Sequence, residues 1–360
     1  MSALTDCVQL VRRSVESHDE TLLLRALRKT NPLHAQLPAP ELAALLAPLL
    51  PGALPNRQVI FDSLGAPASS VDGAAGPVLP EVELYLRLVA LKSAKKHQSC
   101  PEAVLERAAD AMMQTVRAHD RRTMDVLAAS AWQTLATIKP FPAIRDSLVR
   151  AHRTACLRLD QAGQAVLANL ILRDLVNRDL ITEAASFAAK VKFPDRASNN
   201  QHVRFLYYTG RIEALQLEYG TALNLLQQSI RKVRSIARAL RVQASGELTP
   251  SSQAPTNTGL AFRITVHKLA TVVQLLTGDT PERAWFSDAE MSAQLTPYLE
   301  LVRAVRQGSI AAFEQCVAKH RHTFERDRTL TLIMRLHSSV IKMGARFRRC
   351  ARANTTCEQG

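Results

Sequence analysis

Residues 201–233 read QHVRFLYYTGRIEALQLEYGTALNLLQQSIRKV, and apolar residues recur through them at intervals of three and four. That spacing sets Phe205, Tyr208, Ile212 and Leu215 on one face of a first helix. It sets Tyr219, Ala222, Leu223, Leu226, Ile230 and Val233 on one face of a second. Ala222 and Ser229 are small and seven apart, where two antiparallel helices can approach closely. Paired amphipathic helices of this kind build helical-repeat proteins, scaffolds that present surfaces rather than perform chemistry. An ordinary helical hairpin in a globular core has the same pattern.

The rest of the chain agrees with an all-α class. Only 13 of 360 residues are glycine, too few for a fold rich in tight turns, and strict apolar–polar alternation is absent. Helices are expected near the N-terminus, with Leu22–Leu27 and Glu41–Leu50 as segments, the latter ended by Pro51. Pro80 suits the first turn of a helix, where its missing N–H costs nothing. A helix follows from Pro101 to about Ala118, and Asp120 is placed to cap the next. Pro140 and Pro142 interrupt, and two further helices flank Asp160. Ile181-Thr-Glu-Ala184 echoes Tyr219-Gly-Thr-Ala222, each with an apolar residue three before an alanine, a hint of a helix-pair repeat. Val266, Leu269, Val273 and Leu276 share a face, and a last long helix is expected from about Asp327 to Gly344.

These patterns divide the chain into an N-terminal helical segment (1–61), a linker (62–79) rich in Gly, Ala, Ser and Pro, and helical repeats (80–235). A polar insertion follows (236–259), most of it the low-complexity run 244–259. Helices then resume over 260–344, and a basic tail closes the sequence (345–360).

Signals for chemistry are scarce. There is no phosphate-binding glycine loop, no GxGxxG after a strand and no HExxH. His320 and His322 are two apart, so on a helix they diverge, and two solvated histidines near a helix C-terminus are the expectation. No catalytic residue, cofactor site or metal site is assigned. The six cysteines are widely spaced with no CxxC, which suits free thiols. No apolar run approaches the roughly 20 residues of a membrane span, and no secretory signal is visible, so cytoplasm and nucleus are the expected setting. The formal charge of +14 admits an anionic partner, but aromatics are only 5% and no basic–aromatic interleaving marks an RNA-stacking platform.

Several segments, in order, carry a resemblance to a known family. They are Leu22–Arg28, Leu79–Tyr85, Gly163–Ala165 with Leu167–Arg173, and Phe205–Ile212 (FLYYTGRI) with Leu217–Tyr219. Thr265–Leu269, Gly308–Phe313, Thr331–Leu336 and Val340–Lys342 follow. The set resembles the PCI-domain subunits of the 26S proteasome lid, in the family of regulatory-particle non-ATPase subunit three. The resemblance implies a TPR-like helical solenoid leading into the helical part of a PCI domain. It implies a non-catalytic scaffold, with no cofactor, supporting ubiquitin-dependent degradation inside a hetero-oligomer with other lid and base subunits. Nucleic acid and membrane are not implied partners, and deubiquitination belongs to a different, metal-binding lid subunit. The motif positions carried over are Phe205, Tyr207, Tyr208, Gly210, Arg211, Tyr219, Ala222, Gly308, Phe313 and Arg335. The match stops at about Lys342–Gly344, so the expectation is a chain without the family's winged helix, C-terminal bundle helix and acidic tail. Loss of that tail accounts for part of the +14. Alternatives are a scaffold of another PCI complex, the signalosome or the PCI-containing translation-initiation factor, and an RNA-binding helical-repeat protein whose affinity falls steeply with salt.

Overall fold

Prolines and left-handed residues set the helix limits. Pro101 and Pro140 stand immediately before their helices, and Pro80 occupies a first turn. Gln98, Leu159, Gly278 and Gly308 close theirs at positive φ. The computed structural model of the chain describes residues 3–50, 56–65, 78–245 and 259–357, with side chains outside 31–36, 237–245 and 346–357. Among the described residues every regular element is helical. The residues 66–77 of the expected linker and 246–258 of the expected insertion lie outside the described ones.

Two compact units divide the chain, Met1–Asp174 with Phe193–Ala197, and Leu175–Lys192 with Ser198–Gly360. The first holds α1 (Ala3–Ser17), α2 (Glu20–Gln36), α3 (Ala39–Leu46), α4 (Arg57–Leu64), α5 (Pro80–His97), α6 (Glu102–Ala118), α7 (Asp125–Ile138) and α8 (Phe141–Arg158), and most of α9 (Gln161–Asn177). Its centre is α5, which packs against α1, α2, α3, α4, α6 and α7. Val82, Leu84–Leu86 and Leu88–Leu91 are buried around its whole circumference, as expected of a helix enclosed on all sides. Two buried or nearly buried charges on α5 are paired: Arg87 lies 2.8 Å from Glu83, which also accepts from Thr115 Oγ1 at 3.2 Å.

The second unit holds α10 (Ile181–Lys190), α11 (Asn199–Leu215), α12 (Tyr219–Ser245), α13 (Leu260–Thr277), the single turn α14 (Ala284–Ser287), α15 (Ser292–Gln307), α16 (Ile310–Arg326) and α17 (Leu330–Cys357). Here α13 is central, touching α11, α12, α15 and α17. One core runs from Tyr207, Ala222, Leu226 and Ile230 through Val266–Leu275 to Tyr298, Phe313, Leu332, Leu336 and Val340.

Several expected boundaries move. Asp62–Leu64 belong to α4, because Ile60, Phe61, Ser63 and Leu64 are buried together. Residues 236–245 continue α12 and residues 345–357 continue α17 as helix, since neither stretch contains a proline or glycine to stop it. Asp120 caps no helix: a 3₁₀ turn, Arg122–Met124, precedes α7, and Asp120 pairs with Arg158 instead. The α11–α12 pair shares its core with 260–344 rather than with the helices before Asp174, because Tyr207, Ala222, Leu226 and Ile230 meet α13.

Candidate functional site

All ten motif positions fall in the second unit, and most are packed rather than presented. The sequence periodicity placed Phe205, Tyr208, Ile212 and Leu215 on the inner face of α11. The structure instead buries Val203, Leu206, Tyr207, Gly210 and Ala214 with Ile212, and leaves Phe205, Tyr208 and Leu215 half-buried. The reason is Gly210, which counts as nothing in an apolar pattern yet lies where α12 comes closest. A Cβ at Gly210 would stand 3.3 Å from the carbonyl oxygen of Ala222 and 3.1 Å from Leu226 Cγ. Ala222 and Ser229 are fully buried on the facing side, and Ser229 Oγ donates to Val203 O at 3.4 Å. Three small side chains thus set the α11–α12 distance. Tyr219 is half-buried at the start of α12 and packs on the same core.

The aromatic pair in FLYYTGRI joins this hairpin to α13. Tyr207 meets Tyr208 edge-on at 5.3 Å between ring centroids and Phe262 at 5.5 Å. Arg211 donates to the Tyr207 hydroxyl at 3.5 Å and to Arg328 O at 3.0 Å. Arg328 in turn donates to Asn177 O at 2.8 Å, at the end of α9. Arg335 donates to the carbonyls of Ala214 and Leu215 at 3.4 and 3.1 Å. The last carbonyls of a helix have no partner within it and carry partial negative charge, so these guanidiniums close the ends of α9 and α11.

Gly308 and Phe313 secure the other side of α17. Gly308 is left-handed, with φ of 63°, and its backbone rests against that of Gly344. A Cβ on Gly308 would lie 2.5 Å from Gly344 Cα. Phe313 is buried and meets His337 edge-on at 6.3 Å.

Sequence reasoning missed the polar centre of this unit. Lys268 Nζ lies 2.7 Å from Asp327 Oδ2, which also accepts from the Tyr298 hydroxyl at 3.1 Å. Thr329 Oγ1 is 2.9 Å from the same hydroxyl. Burial pushes the Tyr298 phenol above its usual range, so it stays protonated. The partners are 29 to 59 residues apart, a separation that helical periodicity does not reveal. His320 is likewise not simply solvated: its Nε2 is 2.9 Å from Glu300 Oε2, while His322 is exposed. Among the described residues no group of three or more His, Cys, Asp or Glu is placed to hold a metal, and no helix is long and apolar enough to cross a membrane. The assembly of packed aromatics, close-approach glycines and helix-end guanidiniums is suited to holding surfaces at fixed positions.

Comparison with known proteins agrees in extent. The model of a family described as PSMD3-like, N-terminal TPR repeats, matches residues 3–245 and 238–302. A probable 26S proteasome non-ATPase regulatory subunit 3 of Anopheles gambiae is 32% identical over 355 residues, 95% of this chain and 67% of that protein. The 26S proteasome non-ATPase regulatory subunit 3 of Dictyostelium discoideum is 36% identical over 268 residues, 73% of this chain. The probable 26S proteasome regulatory subunit rpn3 of Schizosaccharomyces pombe is 30% identical over 354 residues, 94% of this chain. The chain spans about half of the Dictyostelium protein's length and about two-thirds of the other two. An all-α chain of paired helices that matches the family model across most of its length, and these relatives with it, belongs to the PSMD3-like family of proteasome regulatory subunits.

Proposed function

We propose that the chain is a non-catalytic scaffold of the lid of the 26S proteasome regulatory particle, supporting ubiquitin-dependent degradation through contacts with other lid and base subunits. The observation that carries this reading is the coincidence of two facts. The match to proteasome subunit 3 relatives runs through 95% of the chain. The motif residues within that match go into helix packing and helix-end closure rather than into a cleft with converging reactive groups. Residues spent in this way hold a surface rigid, and rigid surfaces are what an assembly subunit contributes.

The same reading gives a hetero-oligomer distributed through cytoplasm and nucleus, with neither nucleic acid nor membrane as partner. Affinity purification of the tagged chain from its own cells, with mass spectrometry and native sizing, tests it. Stoichiometric lid subunits in a large particle are expected, together with nuclear and cytoplasmic signal on fractionation. Recovery as a small species free of lid subunits refutes the scaffold role.

A further inference from the structure

The first unit contains an open cavity of about 700 Å³ walled by the end of α6, the start of α7, α8 and the start of α9. Its floor is apolar, with Met124, Trp132 and Leu167. Four guanidiniums line it, those of Arg117, Arg121, Arg150 and Arg158, against the carboxylates of Asp120, Asp125 and Asp160. The carboxylates are already engaged. Arg158 pairs with Asp120 and, at 3.2 Å, with Asp125. Asp160 accepts the Gly163 N–H at 2.8 Å as the cap of α9.

The guanidiniums are less committed. Arg121 lies 3.6 Å from Glu81. Arg150 donates from Nε to the backbone oxygen of Asp146 at 3.2 Å and pairs with no carboxylate among the described residues. Arg117, exposed at the end of α6, makes no hydrogen bond or ion pair among the described residues. Four positive groups line the cavity against three negative ones, and Glu81 beside Arg121 offsets the fourth, so there is no general attraction for acidic chains. What the cavity offers is two guanidiniums without a carboxylate partner among the described residues, planar forks that a phosphate with three terminal oxygens satisfies better than a single carboxylate.

Exposed leucines at the end of α8 argue for a polypeptide carrier. Leu157 and Leu159 flank Arg158 in sequence and are 86% and 71% exposed. Leu159 is left-handed, with φ of 57°, as the residue that closes α8. Leu157 follows Arg150 by seven residues on α8, so the two share a helix face, and a peptide lying along that face from Arg150 would reach it, whereas a small phosphate ester would not.

We propose that this cavity receives a phosphorylated side chain of a partner polypeptide, with Arg117 and Arg150 gripping the phosphate and Leu157 and Leu159 meeting apolar residues beside it. Fluorescence anisotropy of a labelled Gly-Leu-phosphothreonine-Leu-Gly peptide, titrated with the whole chain at about 0.15 M salt, tests the idea. Saturable binding is expected, weakened about tenfold or more by removing the phosphate and by Arg117→Glu with Arg150→Glu. Leu157→Ser with Leu159→Ser is expected to weaken binding several-fold, and Arg12→Glu, elsewhere on this unit, to leave it unchanged. All these side chains are solvent-facing, and circular dichroism verifies that each variant folds. Absence of saturable binding, equal binding of the unphosphorylated peptide, or an unaffected Arg117/Arg150 variant overturns the proposal. Displacement of the peptide by a short single-stranded RNA of equal charge also overturns it, in favour of a nucleic-acid surface.

Discussion

Ala222 shows how a single methyl sets the geometry of a hairpin. It is fully buried, and its carbonyl oxygen lies 3.3 Å from where a Cβ on Gly210 would sit. Ala222→Leu inserts three carbons into that contact and is expected to cost about 1–3 kcal/mol. An unchanged melting temperature would mean that α11 and α12 separate without loss. His267 makes a different prediction. It is 1% exposed, its Nδ1–H donates to Arg263 O at 2.7 Å, and its ring meets Trp285 edge-on at 5.3 Å. Burial, and then the charges of Arg234 and Arg263, hold its pKa below the usual histidine value, while the hydrogen bond to Arg263 and the Asp288 carboxylate oppose this. The unfolded imidazole therefore takes up its proton first as pH falls. The stability this neutral histidine contributes is full above pH of about 6.5 and is lost progressively below it. Melting temperature should fall more steeply between about pH 7.5 and about pH 5.5 in the native chain than in His267→Phe. Parallel pH profiles would show that His267 does not titrate differently on folding. The sequence made Ala222 legible, because small residues at helical spacing are a local signal. It did not make Gly210 legible as a contact, nor Lys268 as the partner of Asp327, because those depend on which helix lies opposite.

At the level of helices, α13 and α17 show where periodicity serves and where it fails. Val266, Leu269, Val273 and Leu276 were readable as one face; the first three are buried, and Leu276 is half-buried against the same core. The central position of α13 was not readable, since burial of Lys268 and His267 beside them erases the polar side on which an amphipathic reading relies. The end of α17 was misplaced at Gly344 because glycine usually marks a helix stop. Here Gly344 is a crossing point within the helix, chosen for its lack of a side chain. A Cβ there would stand 2.6 Å from Gly308 O. Gly344→Ala should therefore push α17 away from the α15–α16 corner and cost about 1–3 kcal/mol, although alanine is the better helix former. Equal or greater stability on chemical denaturation would show that the two backbones have room to part.

On the scale of the whole chain, the class was evident before the structure, and the partition was not. Low glycine content and recurrent 3.6-residue patterning are bulk properties and identify an all-α chain. The division into units depends on which cores merge, and that is decided by Tyr207, Ala222, Leu226 and Ile230 meeting α13. Each unit has its own core, one wound around α5 and one around α13. Calorimetry should accordingly resolve two transitions, with Ala222→Leu lowering only one. A single transition displaced as a whole would mean that the two cores melt together.

The guanidinium closures carry a consequence for synthesis. Arg335 reaches carbonyls 120 and 121 residues earlier, and Arg328 reaches one 151 residues earlier. A ribosome adding about 5–20 residues per second needs on the order of ten seconds to cover such an interval. Throughout that time the last carbonyls of the nascent α9 and α11 lack these guanidiniums, and the apolar face that α17 later covers is exposed. The second unit therefore remains incomplete until nearly the last of the described residues has emerged, and chains released early present chaperones and proteases with an unfinished core.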